Sequence, residues 1–131
     1  RAAERELLAG ADRRDVLAGL QPSLGPEQLL AHQESVRQVK AAPALIDYVQ
    51  ALVAHTRESG DWLVGLSPRS ALALLSAARA WAWLEGRDHV LPEDVQTLLP
   101  GVAGHRLRPA DDRSIGATEA ATRLIEAVPL P

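Results

Sequence analysis

The chain has 131 residues, 14 Lys+Arg against 17 Asp+Glu, and a formal charge of −3, which suits one domain or one domain with a small appendage and gives no general attraction to nucleic acid. It contains 23 Ala and 21 Leu but only ten Val, three Ile, three Trp, one Tyr and no Phe, a balance that favours helices and sets an all-β fold aside. With no Cys, disulfides, thiolate metal sites and cysteine nucleophiles are excluded together; nothing requires an oxidising compartment, and a cytoplasmic location is expected.

There is no Met, and the chain opens inside a helix-like run, Arg1–Ala9, so it reads as a piece of a longer protein. Gly10 stands where a left-handed cap would end that helix. Residues 11–25, with Gly19, Pro22, Gly25 and the cluster Asp12-Arg13-Arg14-Asp15, read as a connector. Pro26 opens a helix to about Val39, with Glu27 in its first turn and a narrow apolar face of Leu29, Leu30, Val36 and Val39 that suits a surface position.

Pro43 opens the next helix, to about Ser59, whose inward face is Leu45, Val49, Leu52, Val53 and Thr56. The strongest periodic signal follows the loop Gly60–Leu66: Ala71, Leu74, Leu75, Ala78, Trp81 and Ala82, with Leu72 and Leu84 widening the stripe. This helix, Ser67–Glu85, would be about 28 Å long, form the centre of the core and end at Gly86. Ser76 and Arg79 interrupt its apolar run, so it is no membrane span. Trp81 and Trp83, two apart, cannot share a face; the stripe assigns Trp81 to the core and leaves Trp83 as a cover or a contact for another domain. Glu85, Arg87 and Asp88 read as a solvated turn. Pro92 opens a helix with Glu93 and Asp94 serving its dipole and Val95, Leu98, Leu99 and Val102 inward. A polar stretch, Arg108–Gly116, precedes a short last helix, Thr118–Val128. The expected organisation is the end of a preceding helix and connector at 1–25, a helical domain at 26–107, and an extension at 108–131.

The chemistry that residues can support is narrow. His32, His55, His89 and His105 never share metal-ligand spacing. Gly65-Leu66-Ser67-Pro68-Arg69 lacks the second glycine of a nucleophile elbow, and no phosphate-binding loop is present, Lys40 being the single lysine. No catalytic residue is expected in this chain. One segment stands out: Ser67 is placed as an N-cap, Pro68 as the first helical residue, and Arg69 directly after them. A cation in a first turn forgoes the roughly 0.3–1 kcal/mol that a carboxylate gains from the exposed N–H dipoles. A phosphate, by contrast, is attracted by dipoles and guanidinium together. The alternative is that Arg69 merely pairs with Asp61 or Glu58 across the loop.

The runs Gly65-Leu66-Ser67-Pro68-Arg69-Ser70, Ala77-Ala78-Arg79-Ala80-Trp81-Ala82, Gly86-Arg87-Asp88-His89-Val90, Pro92-Glu93-Asp94-Val95 and His105-Arg106-Leu107 resemble the C-terminal lid of MoxR-type AAA+ ATPases. Tyr48, the Thr56-Arg57 pair and Glu4-Arg5-Glu6-Leu7-Leu8 add to the likeness, which covers about residues 1–107, with a weaker echo in Ala120–Pro131. The resemblance implies an all-α lid bundle of four to five helices. It implies that Arg69 is the sensor-2 arginine turned toward the phosphates of ATP, with Ser67 and Pro68 holding its helix start. The parent would use ATP and Mg²⁺; this piece, without Walker A, Walker B or arginine finger, would bind no cofactor and be inactive alone. Implied partners are a preceding α/β core domain, neighbouring subunits of a hexameric ring, and a client protein whose maturation or cofactor insertion is assisted. Leu66, His89 and Leu91 depart from the family's Ala, Tyr and Thr or small polar residue, and the loss of the last leaves the helix at Pro92 without a side-chain cap. Two rivals stay open: a helical protein–protein adaptor without nucleotide contact, and a helix-turn-helix DNA binder, which the charge and the acidic first turns disfavour.

Overall fold

The computed structural model describes residues 1–10, 13–111 and 115–130; within it the side chains of Glu4, Glu6, Leu7, Leu8 and Arg13 are also left aside. Part of the expected connector (Ala11, Asp12), part of the polar stretch (Asp112, Arg113, Ser114), the terminal Pro131 and most side chains of the opening Glu4–Leu8 motif therefore lie outside what is described. The chain forms two compact units, Arg1–Ala31 and His32–Pro131. Among the described residues the regular structure is helical, with two isolated β-bridges and no strand.

The first unit holds α1 (Ala2–Ala9), α2 (Arg13–Ala18) and the start of α3 (Pro26–Arg37). Two readings are corrected here. Gly10 is extended (φ −78°, ψ 169°) rather than left-handed, so α1 ends without a Schellman turn. The connector carries a helix of its own, α2, because no breaker stands between Arg13 and Gly19 and Asp15 lies in its first turn. The N-terminus of α3 follows the proline rule, and the Gln28 Oε1 accepts from the Gly25 N–H at 2.9 Å. No residue of α3 is buried, as its narrow apolar face leads one to expect, but the helix stops at Arg37, and Val39, assigned to that face, lies in the core instead.

The second unit contains α4 (Pro43–Glu58), α5 (Pro68–Leu84), α6 (Pro92–Val102), a 3₁₀ turn (Gly104–Arg106) and α7 (Ala117–Ala127). These four helices form an all-α bundle, and residues 32–37 of α3 belong to the same unit. α5 packs chiefly on α6, α6 on α7, and α4 on α5 and α7. The expected face of α4 is buried throughout, and Tyr48 joins it. Val95 and Leu99 of α6 are fully buried, with Leu98 and Val102 against them. α7 supplies Ala120, Ala121 and Leu124 to the same core, so this segment folds onto the bundle. Small residues set the spacing: Ala78, Ala82, Ala103, Ala120 and Ala121 are wholly buried. At Gly104 an added Cβ would lie 2.5 Å from the Ala117 carbonyl oxygen, so the 3₁₀ turn touches α7 through bare backbone.

Three assignments on α5 change. Leu72 and Leu84 are 68% and 70% exposed: each lies about 120° round the helix from the centre of the stripe defined by Leu74, Ala78 and Ala82. Trp81 keeps 38% of its surface in solvent, whereas Trp83 is half-buried against the core. Trp81 is at the stripe's margin, about 60° round the helix from its centre. Trp83 is covered by a neighbour that periodicity cannot see, the His32 ring at 4.9 Å. α5 ends as expected: Gly86 has φ +73°, and the Arg87 N–H bonds the Ala82 carbonyl at 2.8 Å, closing a Schellman turn.

Candidate functional site

The start of α5 is built by local capping and then braced from two other segments. Ser67 is the N-cap, extended at φ −80° and ψ 160°, and its Oγ accepts from the Ser70 N–H at 3.2 Å. Pro68 occupies the first turn, where its missing N–H costs nothing. The loop before it is pinned to the end of α4. The Leu66 N–H donates to Thr56 Oγ1 at 2.9 Å, that hydroxyl donates to the Val53 carbonyl at 2.7 Å, and Arg57 Nε donates to the Leu66 carbonyl at 2.7 Å. Both polar groups of the buried Leu66 backbone are thereby satisfied. The approach is so close that a Cβ at Gly65 would sit 2.4 Å from Arg57 Cγ and 3.0 Å from the Thr56 carbonyl oxygen. From the far side, Arg106 donates to the buried Ser70 Oγ at 3.1 Å. The Thr56-Arg57 pair and His105-Arg106-Leu107 thus converge on one helix start.

Arg69 projects from this braced end. It is exposed and, among the described residues, makes neither a side-chain hydrogen bond nor an ion pair. The pairing with Asp61 does not form: that carboxylate lies 3.4 Å from His55 Nε2. The first turn of α5 carries no acidic residue to neutralise the cation. An anion is chemically suited to a helix start that carries an unpaired guanidinium, since the cation and the exposed N–H dipoles both attract it. An apolar groove of about 530 Å³ between α4 and α5, bounded by Ile46, Val53, Leu72 and Leu75, runs up to Arg57, Glu58 and Pro68 beside it.

Of the turn read as solvated, Glu85 and Asp88 are exposed, whereas Arg87 is withdrawn. Arg87 reaches across to Asp94 and holds it in two bonds, Nη1 to Oδ2 at 2.7 Å and Nη2 to Oδ1 at 2.6 Å. Oδ2 also accepts from the Leu91 N–H at 2.8 Å, the half of a capping box that the third helical residue supplies, while Leu91 itself offers no side-chain cap. The side chains are 25% and 5% exposed, so this pair is largely withdrawn from water. Burial pushes the Asp94 carboxyl upward. The hydrogen bonds from Arg87 and Leu91 and the Arg87 charge together outweigh it and hold the group below the ordinary carboxylate range. The Asp94 hydrogen bond raises the Arg87 guanidinium in turn. An Arg just past the C-cap together with an Asp at the third helical position was the available signal. Beside this pair, Asp88 is held below its usual range by a 2.9 Å hydrogen bond to His89 Nδ1 and by Lys40, and paired backbone bonds join Lys40 to Asp88 and Val90.

The sequence of this chain matches the AAA lid domain family over residues 54–126, which takes in α5, α6, the 3₁₀ turn and nearly all of α7. The Bacillus subtilis protein YeaC is 33% identical over 104 residues, covering 79% of this chain and 32% of its own length. Chaperone MoxR1 of Mycobacterium tuberculosis is 38% identical over 93 residues, 64% of this chain and 25% of the relative. The crystal structure of a protein described as an ATPase from Cytophaga hutchinsonii superposes with a TM-score of 0.71 at 25% identity, covering 80% of this chain and 36% of the other. The chain thus spans about a quarter to a third of the length of these curated relatives. On the strength of the helical bundle and the family match, this chain belongs to the AAA lid domain family, and it is similar over part of its length to proteins named MoxR.

Proposed function

We propose that this lid senses nucleotide through Arg69, acting as the sensor-2 arginine toward the terminal phosphates of ATP held by a preceding α/β core domain, with Ser67 and Pro68 fixing the helix start it projects from. The observation that carries the reading is an exposed, unpaired Arg69 on a helix end braced by Thr56, Arg57, Ser70 and Arg106. A sensor needs a rigid mount and a free tip, and this arrangement supplies both. Bound ATP with Mg²⁺ would contribute the phosphate charge and the hydrolysable bond. Mg²⁺ would be held by the core domain, since among the described residues no three His, Cys, Asp or Glu side chains converge. Residues 1–25 fit the same reading as the end of a core-domain helix and its connector. Arg69 would favour the closed lid when phosphate is present and release it afterwards, so that turnover becomes lid rotation between subunits of a hexameric ring. One relative carries the name chaperone, and a role for the parent in maturing other proteins or inserting their cofactors is part of the proposal.

The apolar α4/α5 groove is the feature that favours the rival, an adaptor lid that binds protein without touching nucleotide. The two separate in the full-length protein. Arg69→Ala should leave the circular dichroism and the assembly state unchanged while lowering ATP turnover by about 10–100-fold, the worth of one charged hydrogen-bonding group. Unchanged turnover, with unchanged nucleotide affinity, gives the adaptor.

A further inference from the structure

We propose that the cleft between the second half of α3 and α5 receives a carboxylate side chain from an acidic segment of a protein partner. The cleft, of about 460 Å³, is lined by Gln33, Val36, Arg37, Ser76, Arg79 and Ala80. Each of its four polar side chains can donate a hydrogen bond, and no carboxylate is among the lining residues. Arg37 is partly neutralised by Glu34 at 3.1 Å, and the other Glu34 oxygen accepts from Gln38. Arg79 has no such partner among the described residues, and its Nε is shut away from water with no acceptor. A carboxylate in the cleft reaches that Nε no better than water does, but it would meet Arg79 as an unneutralised, half-buried cation lining the cleft, a planar group that suits a carboxylate.

The chemistry around Arg79 selects among anions. A net charge of −3 repels an extended polyanion such as nucleic acid, whereas one carboxylate needs only the local field of Arg37 and Arg79. Val36 and Ala80 give the cleft apolar walls. Leu72, largely exposed, shares its α5 face with Ser76, Arg79 and Trp83, at steps of four, three and four. An acidic segment with apolar neighbours meets both features; inorganic phosphate meets only the charge. Arg79 also lies about 15 Å along the helix from Arg69, so this site and the nucleotide reading stand or fall separately.

The test is titration of the isotopically labelled chain with a capped hexapeptide of alternating glutamate and leucine, following the Nε–Hε resonances of the arginines. The Arg79 resonance should move and saturate at roughly millimolar peptide or below. Arg79→Met should weaken binding at least about tenfold, while Arg108→Met, the same change of charge at an exposed position, should leave it unaltered. The matching glutamine–leucine peptide should not bind. The proposal is overturned if Arg108 and Arg79 respond alike, if inorganic phosphate saturates the site as readily as the acidic peptide, or if Arg79→Met binds as the parent does.

Discussion

Replacing Asp94 by Asn removes one charge at nearly constant volume from the junction between the α5 turn and α6. In the parent, Oδ2 takes hydrogen bonds from Arg87 at 2.7 Å and the Leu91 N–H at 2.8 Å, and Oδ1 takes one from Arg87 at 2.6 Å. The amide can keep its carbonyl at the Oδ2 position and preserve the Leu91 cap, but its NH₂ then faces the second Arg87 N–H, donor against donor. Breaking one half of a fully buried pair costs about 3–5 kcal/mol, and losing one hydrogen bond to a charged group about 1.5–3. The Arg87 side chain is 25% exposed and can recover water, so the lower range applies, about 2–3 kcal/mol. The pH dependence carries its own sign. Because the folded Asp94 carboxyl titrates below its ordinary value of about 3.9, its contribution is complete above that value and is lost as pH falls through the folded one. Urea denaturation across pH should therefore show a constant gap between the parent and Asp94→Asn from about pH 5 to 8, narrowing below about pH 4. A gap of unchanged size at about pH 2, or no gap at neutral pH, would refute the assignment of Asp94 as a charged cap and ion-pair partner.

Thr56→Val keeps shape but leaves the buried Leu66 N–H without its acceptor, and should cost about 1–3 kcal/mol in denaturant melts; a neutral result would mean that water replaces the hydroxyl. Gly65→Ala drives a methyl into Arg57 and the Thr56 backbone and should destabilise by about 1–3 kcal/mol, with chemical shift changes confined to the α4 end and the α5 start; a stable, unshifted variant disproves the close approach. Ala78→Leu, at the wholly buried centre of α5, should force α6 outward and lower stability by about 1–3 kcal/mol or more, measured by thermal melting.

Much of the helical layout was legible because its signals are local. Pro26, Pro43, Pro68 and Pro92 each open a helix, Gly86 closes one with positive φ, and the Leu45–Thr56 face of α4 is buried as its spacing requires. The anomaly of a cation at Arg69 was equally local, since helix polarity is fixed by chain direction alone. The rest depended on which surfaces meet. The same periodicity that placed Leu74 and Ala78 correctly misplaced Leu72, Leu84 and Trp81, because it gives a face but not the width of the neighbour packed on it. Trp83 was buried by His32, and α7 by α4 and α6, neither of which any local pattern announces. The bracing bonds span greater distances along the chain, 7 residues from Arg87 to Asp94, 10 from Thr56 to Leu66 and 36 from Ser70 to Arg106. Helix starts and stops follow from steric and hydrogen-bonding preferences within a few residues, and those the amino-acid order determined. Which donors meet which acceptors across the bundle follows from packing, and only the tertiary structure decided that.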